Sequence, residues 1–433
     1  MIGVIADDFT GATDVAVAFR RAGLRCLIAF GTPAADRAAA PHDVLIVALK
    51  SRTTPRAQAV NDSLGALTWL TAQGAGQIYF KFCSTFDSTP DGNIGPVLDA
   101  LAGQLDAPTV LLTPSSPEHG RTQYLGTLFV GEQPLSETPM RHHPLTPMTD
   151  SRLVRVLQRQ TTRPVALVPH PAVRRGADEI RRRAARRGRG YLLVDAIDTD
   201  DLNEIGRAVA DHPLVAGAAG LAGGIAAAVA DSLAGATGSR PAVDDTDPVG
   251  DAPAAVLTGS CSARTLEQIA AHRSAGRPTY RLDALADHDP AALARTALAW
   301  YDTQPSAPAP LFHSSLPPEE LRAVQDALGV QESAALLEDA LGRIAVGLVE
   351  RGVRRIVAAG GETSGAIVTA LGITGGEIGP EAATGVPWIY GPGSHPRTHE
   401  PFALLLKSGN FGEPDLFLRA TPAPTGDPTG DPE

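Results

Sequence analysis

The sequence predicts an α/β protein: two α/β domains with mainly parallel sheets and an interdomain cleft. Three observations predict it. Short apolar runs alternate with helix-like stretches through the first half of the chain. A segment rich in Gly, Pro and Asp, 236–253, interrupts the chain, and a second series of apolar runs follows it. At 433 residues the chain is also too long for one ordinary core.

The first apolar run, 3–6, meets Asp7-Asp8 and turns into a helical stretch at 13–22. Further strands are expected at 26–30, 44–49, 77–82, 110–112, 165–168, 191–194 and 214–216, with helices between them such as 56–72. Prolines at 134, 139, 144 and 147 break this alternation, so 131–150 is read as a structured excursion or lid. The first domain is placed at 1–235, the linker at 236–253 and the second domain at 254–420. The second block opens with a strand at 254–257 and closes with strands at 355–359 and 402–406. The tail, 421–433, is Pro, Gly, Asp and Thr and is expected to be disordered.

Composition excludes several classes. Hydrophobic content of 43% with 20% charged residues is that of a soluble globular protein. A net charge of −11 argues against a general nucleic-acid surface. Cys26, Cys83 and Cys261 form no C-x-x-C pair, which argues against a zinc site or a disulfide framework. With no basic leader before the first strand, a cytoplasmic location is expected. The uncharged stretch 214–230 is mostly Ala and Gly and reads as a strand, a glycine turn and a packed helix rather than a membrane span. The arginine run at 181–189 follows Asp178 and Glu179 and reads as a solvated helix face.

The chain has three lysines among 37 cationic side chains, and all three close an apolar run: Lys50, Lys81 and Lys407. Strand carboxyl ends are where open α/β sheets bind ligands. Lysine there supplies a compact point charge for a carboxylate or phosphate.

Four constellations carry chemistry. Asp7 and Asp8 stand between the first strand and a helix start at Thr10-Gly11. There a carboxylate accepts a hydroxyl proton, helps hold a metal, or caps the helix. The loop from Lys81 through Asp87 to Gly95 packs one cation with carboxylates and hydroxyls before a helix, which suits a small, hydroxyl-rich anion. Arg52 and Arg121 are candidate clamps for a substrate carboxylate. His119 is a candidate acid or base, or a hydrogen-bonding residue. In the second block, the loops holding Ser260 and Ser262, Gly360, Gly361, Glu362 and Thr363, and Lys407 and Gly409 follow strands. All three look like anion cradles. Neither a Walker loop nor a dinucleotide G-x-G-x-x-G after a strand is present.

Six motifs together resemble the four-carbon acid sugar kinase family, most closely its 3-oxo-tetronate kinases. They are I-A-D-D-F-T-G-A-T-D from residue 5, L-K-S-R from 49, F-K-F-C-S-T-F-D-S-T-P-D-G-N-I-G-P-V from 80, H-P-L-T-P-M-T-D at 143–150, G-G-E-T-S-G at 360–365 and K-S-G-N-F-G at 407–412. The segment Ser115-Ser116-Pro117-Glu118-His119 departs from the family, whose members carry more apolar residues before the Pro-Glu and an Asn after it. The resemblance implies a sugar-acid-binding domain followed by a nucleotide-binding domain. It implies ATP contacts at Ser260, at Gly360 through Thr363 and at Gly409, with the acid near Asp8, Arg52 and Lys81.

The implied reaction is ATP-dependent phosphorylation of the C4 hydroxyl of a four-carbon acid sugar, 3-oxo-tetronate to 3-oxo-tetronate 4-phosphate. Asp8 would be the catalytic base, and Asp7, Arg52, Lys81, Asp87, His119 and Arg121 the acid-binding set. ATP and Mg²⁺ are the expected cofactors, with no metal ligand assignable. The expected partners are the acid sugar and a second copy in a homodimer, with no nucleic acid and no membrane. A kinase of threonate, erythronate or a branched 3-oxo acid is the neighbouring alternative, and a non-catalytic sugar-acid binding protein the more distant one.

Overall fold

The chain divides into two units, Met1–Val243 and Asp244–Glu433. The computed structural model describes residues 1–34, 39–143, 145–237, 243–305, 308–391 and 400–422. The expected disordered tail lies outside the described residues from 423 onward, as do 238–242 of the expected linker.

In the first unit the apolar runs become β1 (Ile2–Ala6), β2 (Cys26–Phe30), β3 (Val44–Ala48), β4 (Gln77–Lys81) and β5 (Thr109–Thr113). A small hairpin sheet follows, β6 (Arg121–Tyr124), β7 (Thr127–Val130) and β8 (Gln133–Pro134), and then β9 (Val165–Val168), β10 (Gly190–Val194) and β11 (Leu214–Gly217). The main sheet runs β2-β3-β1-β4-β11-β5-β10-β9, and every pairing in it is parallel. Each strand expected from the first half is present. The cause is burial on both faces: Val44 through Ala48 are all buried, and each such aliphatic side chain stabilises by roughly 1.5–3 kcal/mol.

The register decides where the loops emerge. Ala6 pairs with Ala48 on one side and with Lys81 on the other. The segments after β1, β3 and β4 therefore leave the sheet side by side. The strand order reverses at β1, and that is where an open α/β sheet forms a crevice. The helix Phe9–Arg21 starts there, capped by Asp8, and ends on Arg20 and Arg21, whose charges suit its carboxyl end.

The hairpin sheet was not foreseen. Leu125 (φ 46°) and Gly126 (φ 76°) form its two-residue turn, a type I′ geometry usually announced by Asn-Gly or Asp-Gly. The excursion at 131–150 holds β8 and two 3₁₀ turns, Leu135–Glu137 and Pro139–His142, and ends with Met148 buried. Glu179 pairs with Arg182 and Arg183 on the helix Ala177–Arg187 and with Arg175 just before it, a solvated face as the sequence suggests.

The second unit contains β12 (Ala254–Thr258), β13 (Thr279–Arg281), β14 (Leu311–His313), β15 (Arg355–Ala359), β16 (Gly375–Ala383), β17 (Val386–Tyr390) and β18 (Ala403–Lys407). Their order is β13-β14-β12-β15-β18-β17-β16, parallel as far as β18 and antiparallel beyond it. Thr258 pairs with Ala359 and with His313, and Ala359 pairs with Lys407. Four strand ends are thereby level, and their loops share one edge. Among the described residues no helix is long and apolar enough to cross a membrane.

In the first unit two helices, Thr199–Ala208 and Ala219–Thr237, cross at glycines. A Cβ on Gly206 would lie 2.2 Å from Gly224 O, and one on Gly224 would lie 2.1 Å from Leu202 O. Gly206→Ala is expected to destabilise the first unit by about 1–3 kcal/mol, read by urea unfolding. Unchanged stability would show that the helices can separate freely.

Candidate functional site

Arg52 ties together the loops that leave β1, β3 and β4. It donates from Nε to Asp7 Oδ2 and from Nη2 to Asp7 Oδ1, both at 2.9 Å. Nη2 also lies 2.8 Å from Asp8 Oδ1, and Nη1 lies 3.8 Å from Asp87 Oδ2. Asp7, Asp8, Arg52 and Asp87 are thus brought together. The guanidinium holds the protein's own carboxylates, and Nη1 makes the longest of these contacts.

Asp8 caps the helix and also faces the site. Its Oδ1 accepts the Gly11 N–H (2.9 Å) and the Arg52 contact, and its Oδ2 accepts the Thr10 hydroxyl (3.0 Å). A carboxylate offers about four lone-pair positions, so one remains, on Oδ2. Burial pushes this carboxyl up. Arg52 and Lys81, with the bonds from Thr10 and Gly11, outweigh that and hold it below the usual carboxylate range. Asp8 is therefore anionic at neutral pH.

Lys81 is 3% exposed, and its Nζ donates one hydrogen bond, to Phe82 O at 3.1 Å. An ammonium carries three donors, and buried donors are normally paired, so two are left for a ligand. Gly11 leaves the room for it: a Cβ there would lie 2.9 Å from Lys81 Nζ and 2.2 Å from Asp8 Oδ1. Lys50 takes another course, its Nζ sitting 5.4 Å above the Phe9 ring. Asp14 lies one helical turn beyond Gly11 and had no assigned part in the sequence reading. Burial pushes its carboxyl up against the pull of Lys81 and His119.

The long loop after β4 is held from outside itself. Asn93 donates to Ser51 O and Thr54 O, both at 2.8 Å. Gln160 accepts from Gly95 N (2.8 Å) and donates to Ser88 Oγ (2.7 Å) and Thr89 O (2.6 Å). Met148 Sδ accepts from Ser88 N at 3.4 Å. Phe86 is buried at φ 63°, a left-handed conformation that costs a bulky residue about 1–3 kcal/mol and persists only where surroundings enforce it. Thr85 Oγ1 donates to Asp87 Oδ1 at 2.5 Å. Burial pushes the Cys83 thiol up to about 12, so it is no nucleophile. Sequence reasoning missed Gln160 and Met148 as organisers. Met148 stood inside a quoted motif, whereas Gln160 has no local signal.

His119 sits on the 3₁₀ turn Pro117–His119, its Nδ1 3.0 Å from Ser116 Oγ. Arg121 donates from Nη1 to His119 O, so part of the expected clamp holds this turn instead. Glu118 on the same turn pairs with Arg21 at 2.8 Å, which ties the turn to the helix Phe9–Arg21.

In the second unit the level strand ends border a cavity of about 330 Å³. Its rim is Gly259, Ser260, Ser314, Gly360, Gly361, Glu362, Thr363 and Gly409. Its far wall is apolar, with Leu316, Leu321, Val324, Leu337 and Leu341 from and beside the helices Pro318–Leu328 and Val330–Glu350. The glycines are required by crowding. A Cβ on Gly259 would meet Thr363 Oγ1 at 2.6 Å, and one on Gly409 would meet Ser260 Oγ at 2.5 Å. Gly360, at φ 115°, starts the helix Gly361–Leu371, whose first N–H groups point at the rim. Such a cavity suits a flat apolar group continued by an anionic chain.

Six of the expected nucleotide residues line this cavity: Ser260, Gly360, Gly361, Glu362, Thr363 and Gly409. Ser262 and Lys407 stand behind it. Ser262 caps the helix Ala263–Ser274 and donates to Gly409 O at 2.6 Å. Lys407 is fully buried, and burial with the nearby Arg264 pushes its ammonium down to about 7. Sequence reasoning missed the apolar wall, whose leucines carry no motif. Among the described residues, no group of three or more His, Cys, Asp or Glu could hold a metal ion.

Residues 2–225 match the family model of a sugar-binding N-terminal domain, and residues 255–417 that of a nucleotide-binding C-terminal domain. A 3-oxo-tetronate kinase of Methylobacterium radiotolerans is 47% identical over 427 residues, covering 97% of this chain and 98% of the relative. One of Pseudomonas fluorescens is 46% identical over 424 residues, covering 97% of this chain and 96% of the relative. A solved protein of Salmonella typhimurium LT2 superposes with a TM-score of 0.86 at 38% identity, covering 97% of this chain and 98% of its own. One of Haemophilus influenzae gives 0.76 at 37% identity, covering 96% and 98%.

Removing Arg52 leaves Asp7 and Asp8 buried without their partner. Arg52→Met is expected to destabilise by about 3 kcal/mol. The stability Asp8 contributes is present above its unfolded value of 3.8 and lost as pH falls through its lower folded value. In the variant the acid-unfolding midpoint should move to higher pH. Circular dichroism against pH reads it, and an unmoved midpoint would refute the pairing.

Proposed function

The chain belongs to the four-carbon acid sugar kinase family, and on that premise we propose that it is a 3-oxo-tetronate kinase, transferring the γ-phosphoryl group of ATP to the C4 hydroxyl of 3-oxo-tetronate. The observation that carries this reading is the cavity of the second unit. It joins an apolar wall, fit for a purine, to a rim of glycines, hydroxyls and a helix N-terminus, fit for phosphates.

In the first unit the acid's charge is taken by the two open donors of Lys81 and by Arg52 Nη1. Asp7 and Asp87 orient these cations, and His119 and Arg121 complete the side of the site nearest Asp14. The free position on Asp8 Oδ2 accepts the hydrogen of the C4 hydroxyl. As C4–O attacks phosphorus, the bond from Pγ to the bridging oxygen breaks and its electron pair leaves with ADP. The proton of the C4 hydroxyl passes to Asp8. A carboxylate of low proton affinity fits a loose transition state, in which the proton moves late and catalysis is mainly positioning and electrostatics.

The residues present fit a divalent cation carried in on the nucleotide rather than a resident ion. Glu362 is the carboxylate on the phosphate side of the rim, and Mg²⁺ bound to ATP needs only one or two protein ligands. When bound, Mg²⁺ would neutralise the phosphates and polarise the transferring group. A cytoplasmic location is part of the reading, since the reaction consumes ATP. A homodimer is part of the reading, and light scattering of the full chain measures it.

ADP release should appear with a 3-oxo-tetronate and fall away across threonates and erythronates. No ADP above background with any of them would leave the reading without support. Asp8→Asn is expected to lower kcat by about 10²–10⁴-fold with KM changed little. Lys81→Met should instead raise KM for the acid by about tenfold or more, with KM for ATP unchanged. A Lys81→Met enzyme with wild-type KM for the acid would remove the charge assignment.

A further inference from the structure

Lys81 and Lys407 each end a strand in their own unit, yet their side-chain amines are held differently. Lys81 keeps open donors. Lys407 has none to spare: Nζ donates to Gly409 O (2.7 Å), Ser408 O (3.0 Å) and Thr265 Oγ1 (3.1 Å). All three acceptors are neutral oxygens. Among the described residues no carboxylate lies within ion-pair distance of this cation, although its residue is fully buried. The charged groups around it are Arg264, of like sign, and beyond that Glu267 and Glu413, which pair with Arg264 at 3.2 and 3.9 Å. Glu362 stands on the rim of the cavity that Gly409 also lines. A buried charge without a counter-charge is costly, and proteins neutralise or pair such groups.

The carbonyl of Gly409 is the focus of this arrangement. Besides Lys407 it accepts from Ser262 Oγ (2.6 Å) and Thr265 Oγ1 (2.9 Å). Three donors converge on one oxygen from behind the cavity wall. They fix the plane of the peptide that follows it, and Gly409 itself lines the cavity.

We propose that the bound nucleotide is the missing counter-charge of Lys407, and that Lys407 is a positioning residue which sets the Gly409 peptide against the phosphates without touching them. This rests on the kinase reading and says how its nucleotide site is built. Its consequence is a proton linkage. In the free fold the ammonium, held down to about 7 by burial and Arg264, is largely neutral at pH 8. Phosphates beside it favour the charged form, so nucleotide binding takes up a proton at pH 8 and takes up little at pH 6, where Lys407 is already charged.

Titration calorimetry of ADP into the full chain tests this at pH 8, in two buffers of different ionisation enthalpy. The wild type should take up a fraction of a proton per ADP bound. Lys407→Met should lose that uptake and bind ADP about tenfold or more weakly. Lys407→Arg keeps a charge that cannot be released, so it should lose the uptake even where it folds better than Lys407→Met. Thr265→Val keeps the ammonium and should keep the uptake. A wild type that phosphorylates the acid while its uptake persists in both lysine variants overturns the role of Lys407 alone. A wild type that binds no ADP overturns the kinase reading with it.

Discussion

One guanidinium is the constraint on which the acid site depends. Arg52 reaches carboxylates on two neighbouring loops, Asp7-Asp8 after β1 and Asp87 after β4, from its own loop after β3. Burial pushes the Asp7 carboxyl up against the pull of Arg52, whereas Arg52 and Lys81 hold the Asp8 carboxyl down. With Arg52 between them, Asp7, Asp8 and Asp87 form an acidic cup beside the buried Lys81. The parallel register supplies the rest, because pairing Ala6 with both Ala48 and Lys81 puts the three loops at one height. Sheet and site are thus one problem in packing: a slipped strand would break the salt bridges as well as the core.

The strands were legible because a parallel strand covered on both faces must be apolar throughout, and little else in a soluble chain looks like that. The strand-end loops were legible for the converse reason, since Asp, Lys, Ser and Gly crowded at the end of such a run have no packing role. Position was easier to read than contact. The three lysines do close strands, yet one rests on the Phe9 ring, one faces the acid site and one is sealed behind a carbonyl. Which of these a lysine does depends on partners far along the chain, such as Thr265 for Lys407. The same distance hid Gln160, which organises the loop after β4, and the leucine wall of the nucleotide cavity. Leu125-Gly126 hid the hairpin sheet because leucine rarely adopts the backbone that turn needs.

The two units handle charge in opposite ways. The first gathers acidic and basic groups and satisfies them mostly from within, leaving one position open on Asp8 and two donors on Lys81. The second offers the cavity mostly glycine amides, hydroxyls and a helix N-terminus, with Glu338 and Glu362 as its acids and its one lysine withdrawn from the surface. Fixed dipoles suit a polyphosphate that arrives with its own cation, since they need no rearrangement when the charge shifts. A small acid with one charge and several hydroxyls is better met by a few directed donors and acceptors.

The loop after β4 is anchored largely by amide side chains that bind main-chain atoms. Asn93 holds the carbonyls of Ser51 and Thr54, Gln160 holds the amide of Gly95 and the carbonyl of Thr89, and Met148 meets the amide of Ser88. Main-chain anchors are indifferent to which side chains the loop displays. Ser84 can therefore be exchanged while the loop keeps its shape, whereas Asp87 is tied to Arg52 and Thr85 to Asp87. The shape of this segment and the chemistry that it displays are thus set by different residues.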